Sequence, residues 1–99
     1  MNPKVSPSDE ELLQRVDEVL HYIWDPIGVS GVPEARDEYR TYSPQVFSLL
    51  KNSASVEKVA QYLNSVATDR MGLQANPTND RETAEVLVNW VEFLRERRA

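Results

Sequence analysis

Apolar residues recur every three or four positions along most of the chain, the spacing that places them on one side of an α-helix. The clearest such segment runs from Ser8 to Trp24. Ser8 and Glu11 form a capping box at its start, and Pro26 ends it because the residue before a proline is disfavoured in helical backbone. The apolar positions of this predicted helix are Leu12, Leu13, Val16, Val19, Leu20, Ile23 and Trp24.

A long loop and a short second helix follow. Residues 25–42 contain two prolines and two glycines and have only weak periodicity, which predicts an ordered loop with one helical turn around residues 34–39. The second helix is predicted to begin at Ser43, with Pro44 in its first turn, and to end near Asn52.

Two further helices complete the pattern. Ser55 can cap the third, which stops at Gly72 because glycine readily adopts the left-handed conformation at a helix C-terminus. Asn79 and Glu82 resemble another capping box, so we expect the last helix to run from Asn79 to about Arg97.

These elements predict an all-α fold, a compact bundle of about four helices with a long ordered loop after the first helix. The chain has 99 residues, of which 40% are hydrophobic, and this suits a single helical domain over residues 1–99 with residues 1–7 flexible. The sequence shows no alternation of apolar and polar residues typical of a β-strand.

The predicted last helix carries apolar residues on two sides. Val86 and Phe93 point nearly opposite its main face, and together with Trp90, at the margin of that face, they form a second stripe. A helix that is apolar on two sides is either the buried centre of a bundle or reserves a surface for another chain. The sequence leaves both interpretations open. The main face comprises Ala84, Leu87, Val88, Val91 and Leu94.

The charge is acidic and unevenly distributed. Sixteen acidic and eleven basic residues give a net charge of −5. Residues 1–50 carry nine acidic and four basic residues, whereas residues 51–99 carry seven of each. This balance disfavours binding to a phosphate backbone, so we expect no nucleic-acid partner. A basic protein could be steered to the acidic half, although an acidic surface also serves solubility alone.

The sequence contains no cysteine, which excludes disulfides and thiolate sites. No apolar run approaches the length of a membrane-spanning helix, and the N-terminus lacks the apolar core of a secretory signal. We therefore expect a cytoplasmic protein with no membrane partner.

Two short motifs stand at the ends of the long loop. Residues 24–28 read W-D-P-I-G and residues 37–39 read D-E-Y, followed by Tyr42 and an apolar helix. Over roughly residues 12–73 the chain resembles a family of short, uncharacterised bacterial proteins with the same two signatures. The resemblance implies a small helical fold in bacteria, and it implies no established activity.

The first motif has a structural interpretation as a helix exit. A large ring at Trp24 closes the helix, and Ile27 returns to the core. The carboxylate of Asp25 can cap nearby amides, Pro26 fixes the exit angle, and Gly28 permits the turn.

The tyrosines fit either of two roles. The rings of Tyr39 and Tyr42 can pack beneath the loop while their hydroxyls bond loop carbonyls or Asp25. Alternatively, Asp25, Asp37, Glu38 and Tyr39 form an acidic recognition edge on the loop, where binding residues often collect.

Reactive side chains are sparse. His21 is the only histidine, and Asp17 and Asp25 stand four residues on either side of it, which is the sole metal-like arrangement. This set is a poor match to zinc sites, and we interpret it as a solvated polar face. The chain has neither a G-x-S-x-G serine motif nor a P-loop. We expect no enzymatic activity, no metal and no cofactor.

The expected function is that of a non-enzymatic bacterial protein-binding domain, in its concrete form an immunity- or antitoxin-like inhibitor of a basic partner. One alternative is a structural homodimer that pairs the second stripe across a two-fold axis, and a less favoured one is a small metal-dependent hydrolase built on His21. The residues expected to bind a partner are Asp25, Asp37, Glu38, Tyr39, Tyr42, Val86, Trp90 and Phe93.

Overall fold

The computed structural model describes residues 7–28, 31 and 39–98. Four α-helices form most of this part of the chain, and together they confirm the predicted all-α bundle. The helices are α1 (Pro7–Val19, continued by a π-helical turn over Leu20–Trp24), α2 (Ser43–Lys51, preceded by a 3₁₀ turn over Arg40–Tyr42), α3 (Val56–Ser65, continued by a π-helical turn over Val66–Arg70) and α4 (Pro77–Arg98).

The last helix, α4, is central to the bundle. It packs most extensively against α3 and also contacts α1 and α2. Helices α1 and α4 run antiparallel, because Trp24 at the end of α1 meets Asp80 near the start of α4, while Arg15 lies over the ring of Trp90. The buried apolar core comprises Leu12, Val16, Val19, Leu20, Trp24, Tyr39, Val46, Leu50, Val59, Leu63, Val66, Ala67, Ala84, Leu87, Val91 and Leu94.

Helices α1 and α3 both end in a widened turn. The amide of Asp25 donates to the carbonyl of Leu20, and the amide of Met71 donates to that of Val66, each at 3.0 Å and across five residues. Left-handed residues follow, with φ of 35° at Asp25 and 70° at Gly72. The predicted stop at Gly72 is confirmed, since a glycine reaches this backbone region without a Cβ clash.

The start of α4 differs from the prediction. The helix begins at Pro77, and Asn76 caps it, because the Oδ1 of Asn76 accepts the amide of Asn79 at 3.2 Å. The expected cap at Asn79 with Glu82 is therefore wrong. A proline is well suited to the first helical position, since its missing N–H is not needed there. The earlier start places Asn79 inside the first turn, where its side chain reaches α1.

Two expectations concern segments outside the described residues. They are the flexible N-terminus, of which residues 1–6 are not described, and the helical turn around residues 34–39, of which residues 34–38 are not described. Within the described ranges, no helix combines the length and the apolar character needed to cross a membrane.

Candidate functional site

Two of the predicted site residues, Asp25 and Tyr39, belong to a hydrogen-bonded junction between the end of α1 and the start of α4. We call it the Trp24 junction and define it as Trp24, Asp25, Tyr39, Asn79 and Asp80. Trp24 is 1% exposed. Its indole Nε1–H donates to Oδ1 of Asp80 at 2.9 Å, and the side-chain amide of Asn79 donates to the Trp24 carbonyl at 2.8 Å. The first turn of α4 thus holds both the side chain and the backbone of Trp24.

Tyr39 fixes the other side of the junction. Its hydroxyl donates to Oδ1 of Asp25 at 2.7 Å and accepts the amide of Ile27 at 2.9 Å. The same carboxylate oxygen accepts the amide of Gly28 at 3.0 Å. The rings of Tyr39 and Trp24 pack with centroids 5.5 Å apart. The predicted bond between Tyr39 and Asp25, and the capping role of Asp25, are both confirmed.

One part of the helix-exit interpretation is wrong. Ile27 is 46% exposed, so its side chain does not return to the core. The junction holds the backbone amide of Ile27 instead, which places this residue at the outer side of the turn. Gly28 has a φ of 83°, and the turn that was expected there is confirmed.

His21 lies in the interior, and the expectation of a solvated polar face at this residue is wrong. Only 2% of it is exposed, and its ring packs edge-on against Tyr22 at 4.5 Å and lies 6.5 Å from the ring of Tyr39. The ring of Tyr39, which comes from beyond the loop, lies beside His21 in the core, and the spacing along a single helix cannot predict this contact.

The metal-like spacing of His21, Asp17 and Asp25 does not produce a cluster. Asp17 lies 3.5 Å from the guanidinium of Arg40, while the carboxylate of Asp25 is held by the Trp24 junction. Among the described residues, no three histidine, aspartate or glutamate side chains are grouped so that they could hold a metal ion.

Asp80 is the buried carboxyl group of the junction. It is 3% exposed, and while its Oδ1 receives the Trp24 indole, its Oδ2 has no hydrogen-bond partner in the described part of the chain. Burial raises the pKa of Asp80 above the usual value for aspartate, and the indole hydrogen bond opposes part of this rise. The surroundings therefore disfavour the charged form of this group.

We expect Tyr39→Phe to lower the free energy of unfolding by about 1–2 kcal/mol, because it deletes two hydrogen bonds and keeps the buried ring. Urea unfolding followed by circular dichroism measures this loss. The matched control is Tyr42→Phe, at a half-buried tyrosine in the 3₁₀ turn that follows Tyr39, and it should change the free energy of unfolding by less than about 0.5 kcal/mol. Equal losses in the two variants would show that the Tyr39 hydroxyl has no special role.

The second cluster is an apolar strip on α4. We call it the Phe93 face and define it as Val86, Asn89, Trp90 and Phe93, which line a shallow groove of about 330 Å³. Phe93 is 48% exposed, and Val86 and Trp90 are half-buried. The rings of Trp90 and Phe93 meet edge to face with centroids 5.5 Å apart. The three apolar residues predicted on this stripe thus lie together at the surface.

Arg15 of α1 holds Trp90 in place. Its guanidinium carbon lies 5.6 Å from the centroid of the Trp90 ring, and its side chain also pairs with Glu18 at 3.1 Å. A ring that is fixed in advance loses little conformational freedom when it is used as a contact. The contact with Arg15 therefore favours one orientation of the Trp90 ring within the Phe93 face.

Of the predicted site residues in the loop, the structure describes Asp25, Tyr39 and Tyr42, and none of these three is fully exposed. Tyr39 is 1% exposed and belongs to the core, so its ring is enclosed by the bundle. Asp25 lies beside it in the Trp24 junction and is half-buried. Tyr42 is half-buried in the 3₁₀ turn before α2. Asp37 and Glu38 lie outside the described residues.

Four members of the two clusters, and Arg15 beside the Phe93 face, were not among the predicted site residues. The four members are Trp24, Asn79, Asp80 and Asn89. Asp80 lies four residues before Ala84 and seven before Leu87, so helical spacing places it on the buried face of α4. A polar residue at such a core position is the signal that could have identified it. Arg15 offers no comparable signal, because its contact with Trp90 joins two helices that are distant in sequence.

Comparison with known proteins finds no matching family model, no matching curated protein and no matching solved structure. The resemblance carried by W-D-P-I-G and D-E-Y stays a prediction.

Proposed function

We propose that this protein is a protein-binding module and that its partner docks on the Phe93 face. The observation that carries the proposal is the exposure of Phe93 beside Trp90 on a helix whose opposite face already fills the core. Aromatic side chains at the centre of an interface supply much of its binding energy. About half of the Phe93 side chain is exposed to water, and a partner that covers it gains buried apolar area.

The two clusters have separate roles in this proposal. The Trp24 junction fixes α1 against α4, and the same packing brings Arg15 over Trp90. The junction is therefore the scaffold, and the Phe93 face is the contact surface. An immunity- or antitoxin-like inhibitor is one concrete form of such a module, since inhibition by occlusion needs a rigid binding surface and no reactive group.

Phe93→Asp is expected to weaken partner binding about tenfold or more, because it replaces the exposed ring with a charge that must be desolvated. The partner is recovered with the wild-type protein from its host and purified, and its affinity for each variant is measured by calorimetric titration. Leu13→Asp is the matched control, because Leu13 is another exposed apolar residue and lies on α1 outside the Phe93 face.

Circular dichroism should show that both variants keep the helical content of the wild-type protein, because the two side chains are exposed. A purified partner that binds Phe93→Asp and the wild-type protein with equal affinity would refute docking on this face.

A further inference from the structure

We infer that the docking partner presents an amphipathic helix with lysine or arginine along the border of its apolar stripe. This inference rests on the proposed function and specifies the chemistry recognised by the same face. It follows from the shape of the Phe93 face, from the negative charges along its border and from the repulsion that these charges would cause between two antiparallel copies of the chain.

The shape of the face suits a helix. Val86 and Phe93 are seven residues apart on α4, two helical turns or about 10 Å along the axis. Apolar residues at this repeat form the seam that a second helix covers with its own residues at three- and four-residue spacing. The groove beside Trp90 and Phe93 provides room for a large apolar side chain of the incoming helix.

The open border of the face is acidic. Glu85 and Glu92 directly precede Val86 and Phe93, so they occupy the flanking positions that meet the charged residues of a second helix. Both glutamates are exposed. Glu85 pairs with Arg81 at 3.5 Å in a solvent-exposed contact of the kind that contributes little, and Glu92 has no ion pair within the described ranges. Both carboxylates are thus available to a cation.

The other border is closed by α1. Arg15 is the only basic residue of α1, and it is already engaged with the Trp90 ring and with Glu18. The Phe93 face therefore presents apolar surface with negative charge along its accessible edge. Such an arrangement attracts a basic helix and raises its association rate.

A second copy of the chain is a worse occupant. If two α4 helices packed antiparallel, the edges formed by Glu85 and Glu92 would lie opposite each other, which places like charges together. If they packed parallel, the acidic edge of one copy would meet α1 of the other, where Arg15 is already paired with Glu18. The antiparallel arrangement thus supplies none of the cations that the edge lacks.

The test uses two synthetic amphipathic peptides of about 20 residues, long enough to form a helix on binding. They share one leucine stripe and differ only at the flanking positions, which are lysine in one peptide and glutamate in the other. Fluorescence anisotropy of the labelled peptides gives the affinities at low and at moderate ionic strength. The wild-type protein should bind the lysine peptide about tenfold or more tightly than the glutamate peptide, and added salt should reduce this preference.

Charge reversal distinguishes recognition from a general effect of net charge. Glu85→Lys combined with Glu92→Lys should invert the preference, so that the glutamate peptide binds more tightly than the lysine peptide. The matched control is Glu10→Lys combined with Asp69→Lys, which makes the same change of net charge at exposed positions away from the Phe93 face and should keep the wild-type preference. Phe93→Asp should abolish measurable binding of the lysine peptide.

Three outcomes would overturn the inference. Equal affinity for the two peptides, or a preference that Glu85→Lys with Glu92→Lys leaves unchanged, would show that the border does not select charge. Lysine-peptide binding that survives Phe93→Asp would place the peptide elsewhere. Failure of both peptides together with a dimer in light scattering that Phe93→Asp dissolves would identify a second copy as the occupant. If the border does not select charge but a natural partner still needs Phe93 for binding, the proposed function stands and only the inference about the charge of the partner fails.

Discussion

Trp24→Ala is expected to lower the free energy of unfolding by about 3–5 kcal/mol, which is a large part of the 5–15 kcal/mol typical of a small domain. The substitution removes a buried ring where α1, α4 and Tyr39 meet. It also leaves the carboxyl group of Asp80 without the indole donor, and a buried acceptor that loses its partner costs additional free energy. Urea unfolding measured by circular dichroism gives the loss.

Trp24→Phe separates the two contributions. It keeps most of the apolar volume and deletes the N–H group, so its loss should be smaller, about 1–3 kcal/mol. Trp90→Phe is the control on α4, where the half-buried indole donates no hydrogen bond to a buried carboxyl group in the described part of the chain. If Trp24→Phe and Trp90→Phe caused equal losses, the hydrogen bond from the Trp24 indole to Asp80 would not stabilise the junction.

Asp80→Ala is expected to destabilise the protein by about 2–3 kcal/mol near neutral pH, because it leaves the indole N–H of Trp24 buried without an acceptor. Asp80→Asn should be at least as stable as the wild-type protein at the same pH. Its side-chain oxygen can still accept the indole hydrogen, and it carries no buried charge. The comparison shows whether the junction needs an acceptor or needs an anion.

The pH dependence of the free energy of unfolding tests in a second way whether the junction is more stable with a neutral or with a charged Asp80. Because the pKa of Asp80 is raised in the folded state, the folded protein binds a proton more tightly than the unfolded chain does. The stabilisation that comes from this proton is complete below the usual aspartate pKa and is lost as the pH rises through the raised value. The wild-type protein should therefore gain stability relative to Asp80→Asn as the pH is lowered through that window.

Urea unfolding of both proteins at several acidic and neutral pH values measures the difference. Asp80→Asn carries every other titratable group of the wild-type protein, so their contributions cancel in the comparison. A loss near neutral pH as large as that of Asp80→Ala would contradict the interpretation, since it would mean that the ionised carboxylate is itself stabilising.

We expect the Trp24 junction to influence binding at the Phe93 face, although the two clusters lie at different points along α4. Trp24 and Asp80 join α1 to α4 at one end of the antiparallel pair, and Arg15 and Trp90 are in contact further along it. Variants of the junction are therefore expected to affect the Phe93 face through the angle between the two helices.

Much of the fold was predictable from local patterns. The helical spacing of apolar residues identified four helices, and Pro26 and Gly72 marked two of their ends correctly. The start of α4 was missed because Asn76 and Asn79 both precede a plausible first turn, and only the backbone shows which of them caps it. Ile27 was assigned to the core from its residue type, and the turn directs its side chain outward.

The candidate site was predictable in part. The second stripe on α4 was visible in the sequence, because residues on one helix have fixed angular positions. Whether Phe93 is enclosed or exposed depends on which elements pack beside α4, and the sequence left that choice open. The burial of His21 depends on Tyr39, which comes from the far side of the loop.

By itself the sequence determined the helical class, the main core face of α4 and the presence of a second apolar stripe, because these depend on periodicity within a single element. The tertiary structure decided that Trp24 binds Asp80, that Arg15 holds Trp90 and that Phe93 remains at the surface. Each of these relations joins residues of different helices or depends on how helices pack. Helix packing fixes such contacts through the shapes and hydrogen-bonding needs of both partners, and the spacing along one helix carries no information about the other.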